Sequence, residues 1–168
     1  MPFYPISKFH FFLAVLYLIF ELSNNKIKTM GRYYSGDIEG KFWFAVQNSS
    51  DAIHFGGTHD YIDGEGEVLD EDDQDEAVEM YFHFDQSHME DIQKGIALCL
   101  EQLGEYQEAL DNFFEGETSY SNESIAKELG ISVLKVDKLL PPYARLILGL
   151  KIENCVGEKG ECNFEAEL

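Results

Sequence analysis

Four of the five histidines stand among carboxylates in one stretch of the chain. His54, His59, Asp60 and Asp63 flank Gly56-Gly57. Further on come His83, Asp85, His88, Glu90 and Asp91. Imidazole nitrogen and carboxylate oxygen together suit zinc, manganese or iron, so His54, His59, His83, Asp85 and His88 are the candidate metal ligands of a metal-dependent enzyme. Their spacing matches neither HExxH nor a comparable ligand set, and histidines scattered on an acidic surface are the plainer reading. The chain has no Walker loop, no GxGxxG, no GxSxG and no Cys/His pairing suited to nucleophilic catalysis. These observations lean away from an enzyme and predict no cofactor.

The carboxylates themselves are the stronger signal. Between Phe42 and Gln93 there are fifteen Asp and Glu and not one Lys or Arg. A segment so one-sided lacks internal counter-charges and must meet water, cations or a basic partner. Asp70, Glu71, Asp72, Asp73, Asp75 and Glu76 form its densest run and are the candidate partner-binding residues. The formal net charge of −20 over 168 residues opposes general affinity for nucleic acid or anionic membrane, because phosphate binding is driven by Lys and Arg. Basic protein surfaces are the favoured partners, and the acidic segment is suited to mimic nucleic acid. It is not an EF-hand: with Gly66 at the turn position, the first ligand position falls on Tyr61 and the last on Asp72.

A second pattern lies in Asn122 to Leu139, NESIAKELGISVLKVDKL. Ile125, Ala126 and Leu129 precede a turn at Gly130; Ile131, Val136 and Leu139 follow it. A small residue at Ala126 lets two helices approach, and Gly130 tolerates the positive φ of the turn. The segment resembles the helix-turn-helix of DNA-binding regulators. The resemblance implies that Ser132, Val133, Leu134, Asp137 and Lys138 occupy the base-reading face. Two aliphatics, one acid and one Lys are a poor set for that task. Five basic residues around this segment (Lys127, Lys135, Lys138, Arg145, Lys151) against four acids (Glu123, Glu128, Asp137, Glu153) leave a local balance of 5 − 4 = +1. A DNA-binding regulator using Lys135 and Lys138 is therefore the alternative function, and a structural helix pair is the plainer reading.

Positioning these residues requires a fold, and the 45% hydrophobic content argues for a packed one. Glu79 to Asp85 alternates with period two, placing Met80, Phe82 and Phe84 inward. Cys162, Phe164, Ala166 and Leu168 alternate in the same way with Glu161, Asn163, Glu165 and Glu167. Lys41 to Gln47 reads as a third strand, apolar on both faces, after turns at Gly36-Asp37 and Glu39-Gly40. Ser87-His88-Met89-Glu90 reads as a capping box, opening a helix of some seven turns with Met89, Ile92, Ile96, Cys99, Leu103, Tyr106, Leu110 and Phe113 as its stripe. That stripe would pack on the chain's own core or, as a sharper reading, on a second copy as a coiled coil. Gly116 is its expected stop. Three shorter helices follow: one from Ser121 or Asn122 to Gly130, one capped by Ser132 and ending before Pro141, and one opened by Pro142 and ending at Gly157. The expectation is an α+β fold, a small antiparallel sheet of about three strands, including the C-terminal one, packed against one long helix and three shorter ones. The Gly-rich acidic stretch 60–76 is expected to be an exposed loop.

Residues 1–29 look foreign to this pattern. Phe9 to Leu22 is apolar apart from His10 and Glu21, and its fourteen residues fall short of a membrane span at about 1.5 Å per residue. A spurious extension before a true start at Met30, a signal-like or anchoring segment, and a helix packed on the domain are the competing readings. The expected organisation is an extension over 1–29 and one α+β domain over 30–168, in the cytoplasm. Cys99, Cys155 and Cys162 show no CxxC spacing and are expected to be buried reduced thiols, with a Cys155–Cys162 bridge as the lesser reading.

The segment MGRYYSGDIEGKFWFAVQNSSDAIHFGG, from Met30 to Gly57, resembles the opening of an uncharacterised protein family of large DNA viruses and environmental viral sequences. YARLILG (Tyr143 to Gly149) and GECNFEAEL (Gly160 to Leu168) are similar to its ending. The resemblance implies a start at Met30 and a place in a virus-infected cell; it implies no activity and no site residues. Taken together, the sequence leads to a non-enzymatic acidic protein that binds a basic protein surface.

Overall fold

The computed structural model describes residues 33–41, 46–115 and 120–168. The fold is α+β. Its described strands are β1 (Tyr33–Gly36), β2 (Gly40–Lys41), β3 (Thr58–Ile62), β4 (Glu79–Asp85) and β5 (Glu161–Glu167). They form one antiparallel sheet in the order β2-β1-β5-β4-β3. The sheet thus has five described strands where about three were expected: β4 and β5 are two of those three, β2 meets the expected Lys41–Gln47 strand at Lys41, and β1 and β3 are additional. The expectations for residues 1–29, for Gly116 and for the middle of a strand over Lys41–Gln47 lie outside the described residues.

The last strand of the chain is central. Its alternation makes this possible, since Cys162, Phe164 and Ala166 are buried while Glu161 and Glu167 stay exposed. β5 pairs with β4 along its whole length, from Glu161 opposite Asp85 to Glu167 opposite Glu79. On its other edge Phe164, Glu165 and Ala166 pair with Gly36, Ser35 and Tyr34. The inward rings of the two strands stack, with Phe164 at 5.3 Å from Phe82 and 6.0 Å from Phe84.

Four helices, α1 (Met89–Leu103), α2 (Gln107–Phe114), α3 (Asn122–Leu129) and α4 (Val133–Lys159), follow β4. Two of the expected boundaries are overturned. The seven-turn helix breaks at Gly104, where φ is +55°, and a 3-10 turn over Gly104–Tyr106 re-aims the chain into α2. Its stripe still faces the chain's own core: Ile92, Ile96, Cys99, Leu103 and Leu110 are all buried. Conversely, the expected break at Pro141 and Pro142 does not occur, and the two helices expected there are one, α4, which runs through both prolines and past the expected stop at Gly157 for 27 residues. Each interior Pro costs about 3 kcal/mol. Burying Val136, Leu139, Leu140, Tyr143 and Leu146 in one continuous face contributes about 1.5–3 kcal/mol per side chain, which outweighs both. The carbonyls left without N–H partners belong to Asp137 and Lys138, which are exposed.

A 3-10 helix over Ser49–Phe55 wedges between α1 and α4. The Phe55 ring is completely buried. A Cβ on Gly95 of α1 would stand 2.6 Å from that ring, and one on Gly149 of α4 only 2.4 Å from it. Two glycines, one on each helix, therefore make the slot that Phe55 fills. An ion pair locks the wedge: Arg145 Nε donates to Asp51 Oδ1 at 2.7 Å, and the Asp51 side chain is only 3% exposed. The second Asp51 oxygen accepts the Asn48 N–H at 2.9 Å, so this buried carboxylate is fully engaged.

Gly149→Ala gains about 1 kcal/mol of helix propensity. It also forces a methyl into a ring held from behind by Gly95, and such overpacking costs about 1–3 kcal/mol. The expected outcome is a net loss of stability, read as a lower midpoint in thermal unfolding. Because β5 supplies both neighbours' pairing, a chain ending at Lys159 is expected to lose its cooperative unfolding transition altogether, as followed by far-ultraviolet circular dichroism.

Candidate functional site: the open face of the sheet

α4 and the Phe55 wedge pack on one side of the sheet. The period-two pattern that buries Met80, Phe82 and Phe84 sends Glu79, Tyr81, His83 and Asp85 to the other side. Register then decides which residues meet. Glu79 lies opposite Glu167, Tyr81 opposite Glu165, His83 opposite Asn163 and Asp85 opposite Glu161. Thr58, Asp60 and Ile62 of β3 extend this face on one flank, and Tyr33 and Ser35 of β1 on the other. The face therefore carries six carboxylates, from Asp60, Glu79, Asp85, Glu161, Glu165 and Glu167, and β1, β3, β4 and β5 contribute no Lys or Arg to it.

Its centre is a small hydrogen-bonded group. The Asn163 side-chain oxygen accepts from the Tyr81 hydroxyl at 2.9 Å and from His83 Nδ1 at 2.7 Å. A carboxamide oxygen only accepts, so His83 carries its proton on Nδ1 and turns Nε2 outward. That nitrogen stands 3.9 Å from Asp85 Oδ2. Around this centre the acids are crowded. Partial burial holds the Glu79 carboxyl above its ordinary value, and the nearby charges of Glu165 and Glu167 push it the same way. Glu165 and Glu167 have local donors: the Ser35 hydroxyl on Glu165 at 3.2 Å and the Tyr33 N–H on Glu167 at 3.1 Å.

The acidic stretch 60–76 joins this face at one end. Its first residues are not loop: Asp60, Tyr61 and Ile62 are part of β3. The chain then turns at Asp63, whose Oδ1 accepts the N–H groups of Glu65 and Glu67 at 2.8 Å each. Those bonds hold the Asp63 carboxyl below its ordinary value and occupy the oxygen a cation would need. Val68 bridges back to Ile62, and Glu71–Glu76 forms a 3-10 turn with Asp70 before it. Asp70, Asp72, Asp73, Asp75 and Glu76 are exposed. Backbone bonds from Val78 N to Ile62 O and from Leu168 N to Val78 O, 2.9 Å each, anchor the run beside Glu79 and Glu167.

The histidine candidates are not brought together. His59 is half-buried against Phe82 on the helix side of the sheet, and His54 is exposed beside Phe55. His83 is on the opposite face. His88 and Asp85 form the helix cap: Asp85 Oδ1 accepts from the Ser87 N–H at 2.8 Å and the Ser87 hydroxyl at 2.5 Å, while the Asp85 N–H donates to His88 Nδ1 at 3.0 Å. Nδ1 also stands 2.9 Å from Asp85 Oδ1. The Ser87 bonds, with a smaller contribution from His88, keep the Asp85 carboxyl below its ordinary value. Asp85, rather than Ser87, is thus the cap, which corrects the expected Ser87–Glu90 box. Among the described residues no three His, Cys, Asp or Glu side chains are arranged to hold a metal ion.

The Lys135 and Lys138 region is also committed in part. α3 is capped by Ser121, turns at Gly130 with φ +66°, and is followed by α4 capped by Ser132. Lys135 lies over the Tyr106 ring, 4.9 Å from its centre, and Asp137 accepts from the Asn122 side chain at 2.5 Å. Lys138 is exposed, next to a Leu134 side chain that is 74% exposed. Among the described residues no helix is long and apolar enough to cross a membrane.

The residues missed from sequence are Glu79, Tyr81, Asn163, Glu165 and Glu167 as one surface, and Asp51 with Arg145 as one pair. The alternation of both strands was visible, and aligning them end to end would have set Glu79 against Glu167. Comparison of the chain with protein-family models, with curated proteins and with solved structures finds no match.

The sign of the Glu79 effect is testable. Its folded carboxyl binds a proton more readily than the unfolded one, so stability falls as pH rises from about its ordinary value of 4.5 through the higher folded value. Glu79→Gln is expected to raise the thermal midpoint at neutral pH, with the gain vanishing below pH 4.5 or so. A gain of the same size at both ends of a pH series would mean that charge is not its cause.

Proposed function

We propose that this protein is a non-enzymatic binding module whose acidic sheet face and adjoining 3-10 run dock a Lys- and Arg-rich surface of another protein. The single observation that supports it is the opposition of Glu79 to Glu167, with Glu165 beside them, on a face without a counter-cation from its main strands. Like charges placed across a strand pair destabilise a sheet. Elsewhere the chain pairs its partly buried acids, Asp51 with Arg145 and Asp37 with Lys159. An arriving ammonium or guanidinium would remove the repulsion that folding leaves in place here, and so binds more strongly than to isolated surface acids. The 3-10 run adds long-range attraction, raising the rate of encounter and making it salt-sensitive. Tyr81 and His83 supply aromatic rings at the centre of the same face, on whose faces an arginine can stack.

The test is a titration of isotope-labelled protein with a Lys/Arg-rich peptide at physiological salt, read by amide resonance shifts. Shifts are expected on β4, β5 and the 70–76 run. Changing Glu79, Glu165 and Glu167 to Gln should weaken binding roughly tenfold, the equivalent of about 1.4 kcal/mol. Changing Asp70, Glu71, Asp72, Asp73, Asp75 and Glu76 to their amides should mainly slow association. Undiminished affinity with both sets neutralised, or shifts confined to the helical side, would refute the proposal.

A further inference from the structure

Two thiols meet where α4 turns into β5. α4 ends at Gly160, φ +89°, whose N–H closes on Val156 O at 2.9 Å, and the strand begins at the next residue. This reversal brings Cys155, near the end of the helix, onto the start of the strand. Cys155 Sγ donates to Glu161 O at 3.6 Å, the carbonyl of the peptide bond leading into Cys162. Cys162 is the next residue, and its thiol and that of Cys155 influence each other across the turn. Both are free thiols.

Their surroundings differ. Cys162 is completely enclosed between sheet and helix, and burial keeps its thiol protonated. Cys155 lines a cleft of about 540 Å³ between the β1–β2 turn and the C-terminal half of α4, with Asp37, Ile38, Ile147, Leu150 and Lys159 among its walls. The Lys159 ammonium, 2.6 Å from Asp37 Oδ1, sits close enough to act on both sulfurs. The thiolate is the reactive form of a cysteine. Cys99 lies elsewhere, on α1 beside the Asp51–Arg145 pair, completely buried and with its thiol pushed up by that burial.

We propose that Cys155 and Cys162 are a redox pair oxidised by hydroperoxides, Cys155 meeting the oxidant in the cleft and Cys162 resolving it into a disulfide between α4 and the central strand. The Cys155 thiolate attacks one peroxide oxygen. The O–O bond breaks, the leaving oxygen takes up a proton and departs as water when the oxidant is hydrogen peroxide, and Cys155 becomes a sulfenic acid. The Cys162 sulfur then attacks the sulfenic sulfur; the S–O bond breaks, and its hydroxyl leaves as a second water with the Cys162 proton. Peroxide is reduced to two waters and two thiols are oxidised to one disulfide. This step is independent of the acidic face.

Exposing the full chain to hydrogen peroxide under native conditions and mapping its peptides without reduction tests this directly. The expected product has lost the mass of two hydrogen atoms, contains one Cys155–Cys162 cross-link, keeps Cys99 as a thiol, and reverts with dithiothreitol. Its thermal midpoint should rise by a few degrees over the reduced form. In Cys162→Ser the sulfenic acid has no resolving partner, so a dimedone adduct is expected at Cys155. The wild-type peptide map decides the matter even if that variant folds poorly. Oxygen addition without a cross-link, oxidation of Cys99 at an equal rate, disulfides between chains, or an unchanged folded protein would each overturn the proposal.

Discussion

The pairing of Glu161–Glu167 with a neighbour on each edge is the constraint through which the other features act. A central strand must satisfy its backbone on both sides, so β1 and β4, far apart in sequence, are brought to its two edges. It must also bury one face, which is why Cys162, Phe164 and Ala166 meet the helices while its acids turn outward. Its partners lie far from it in the sequence, so the sheet closes through contacts between distant segments. Such non-local pairing loses loop-closure entropy before it gains contacts, a cost that favours slow folding.

The helical layer is fixed to this sheet by a shape rather than by a pattern. Phe55 occupies a slot left by the missing side chains of Gly95 and Gly149, and Asp51 and Arg145 close over it. Helix propensity alone disfavours a glycine at either position. Their presence is explained by the close approach of a third element, and the same wedge sets the separation of α1 from α4. α4 in turn holds Cys155 against β5 and Lys159 against Asp37.

Charge is arranged on the same plan. On the helical side and at the strand ends, buried or half-buried acids have partners: Asp51 with Arg145, Asp37 with Lys159 and the Asn163 N–H. On the open face the acids have local hydrogen bonds but no cation from the four longer strands. Lys94, a nearby base in sequence, is taken up by Glu90 and Asp91 on its own helix. The division leaves the open face strongly negative, organised around Tyr81, His83 and Asn163.

The amino-acid sequence by itself determined what is local. Alternation in 79–85 and 161–167, the apolar stripe from Met89 to Phe113, the caps at Ser121 and Ser132 and the turn at Gly130 follow from residue type and period, and with them the α+β class. Tertiary structure decided what depends on contacts between distant segments. Burial of one continuous face carried α4 through two prolines that local preference would have used as a stop. A positive φ at Gly104 divided a stripe whose periodicity runs through it unbroken. Register, which no single strand contains, set Glu79 against Glu167 and sent His59 and His83 to opposite sides of the sheet. Period reports which way a side chain faces; only the pairing of strands, a long-range balance of hydrogen bonds and burial, reports what it faces.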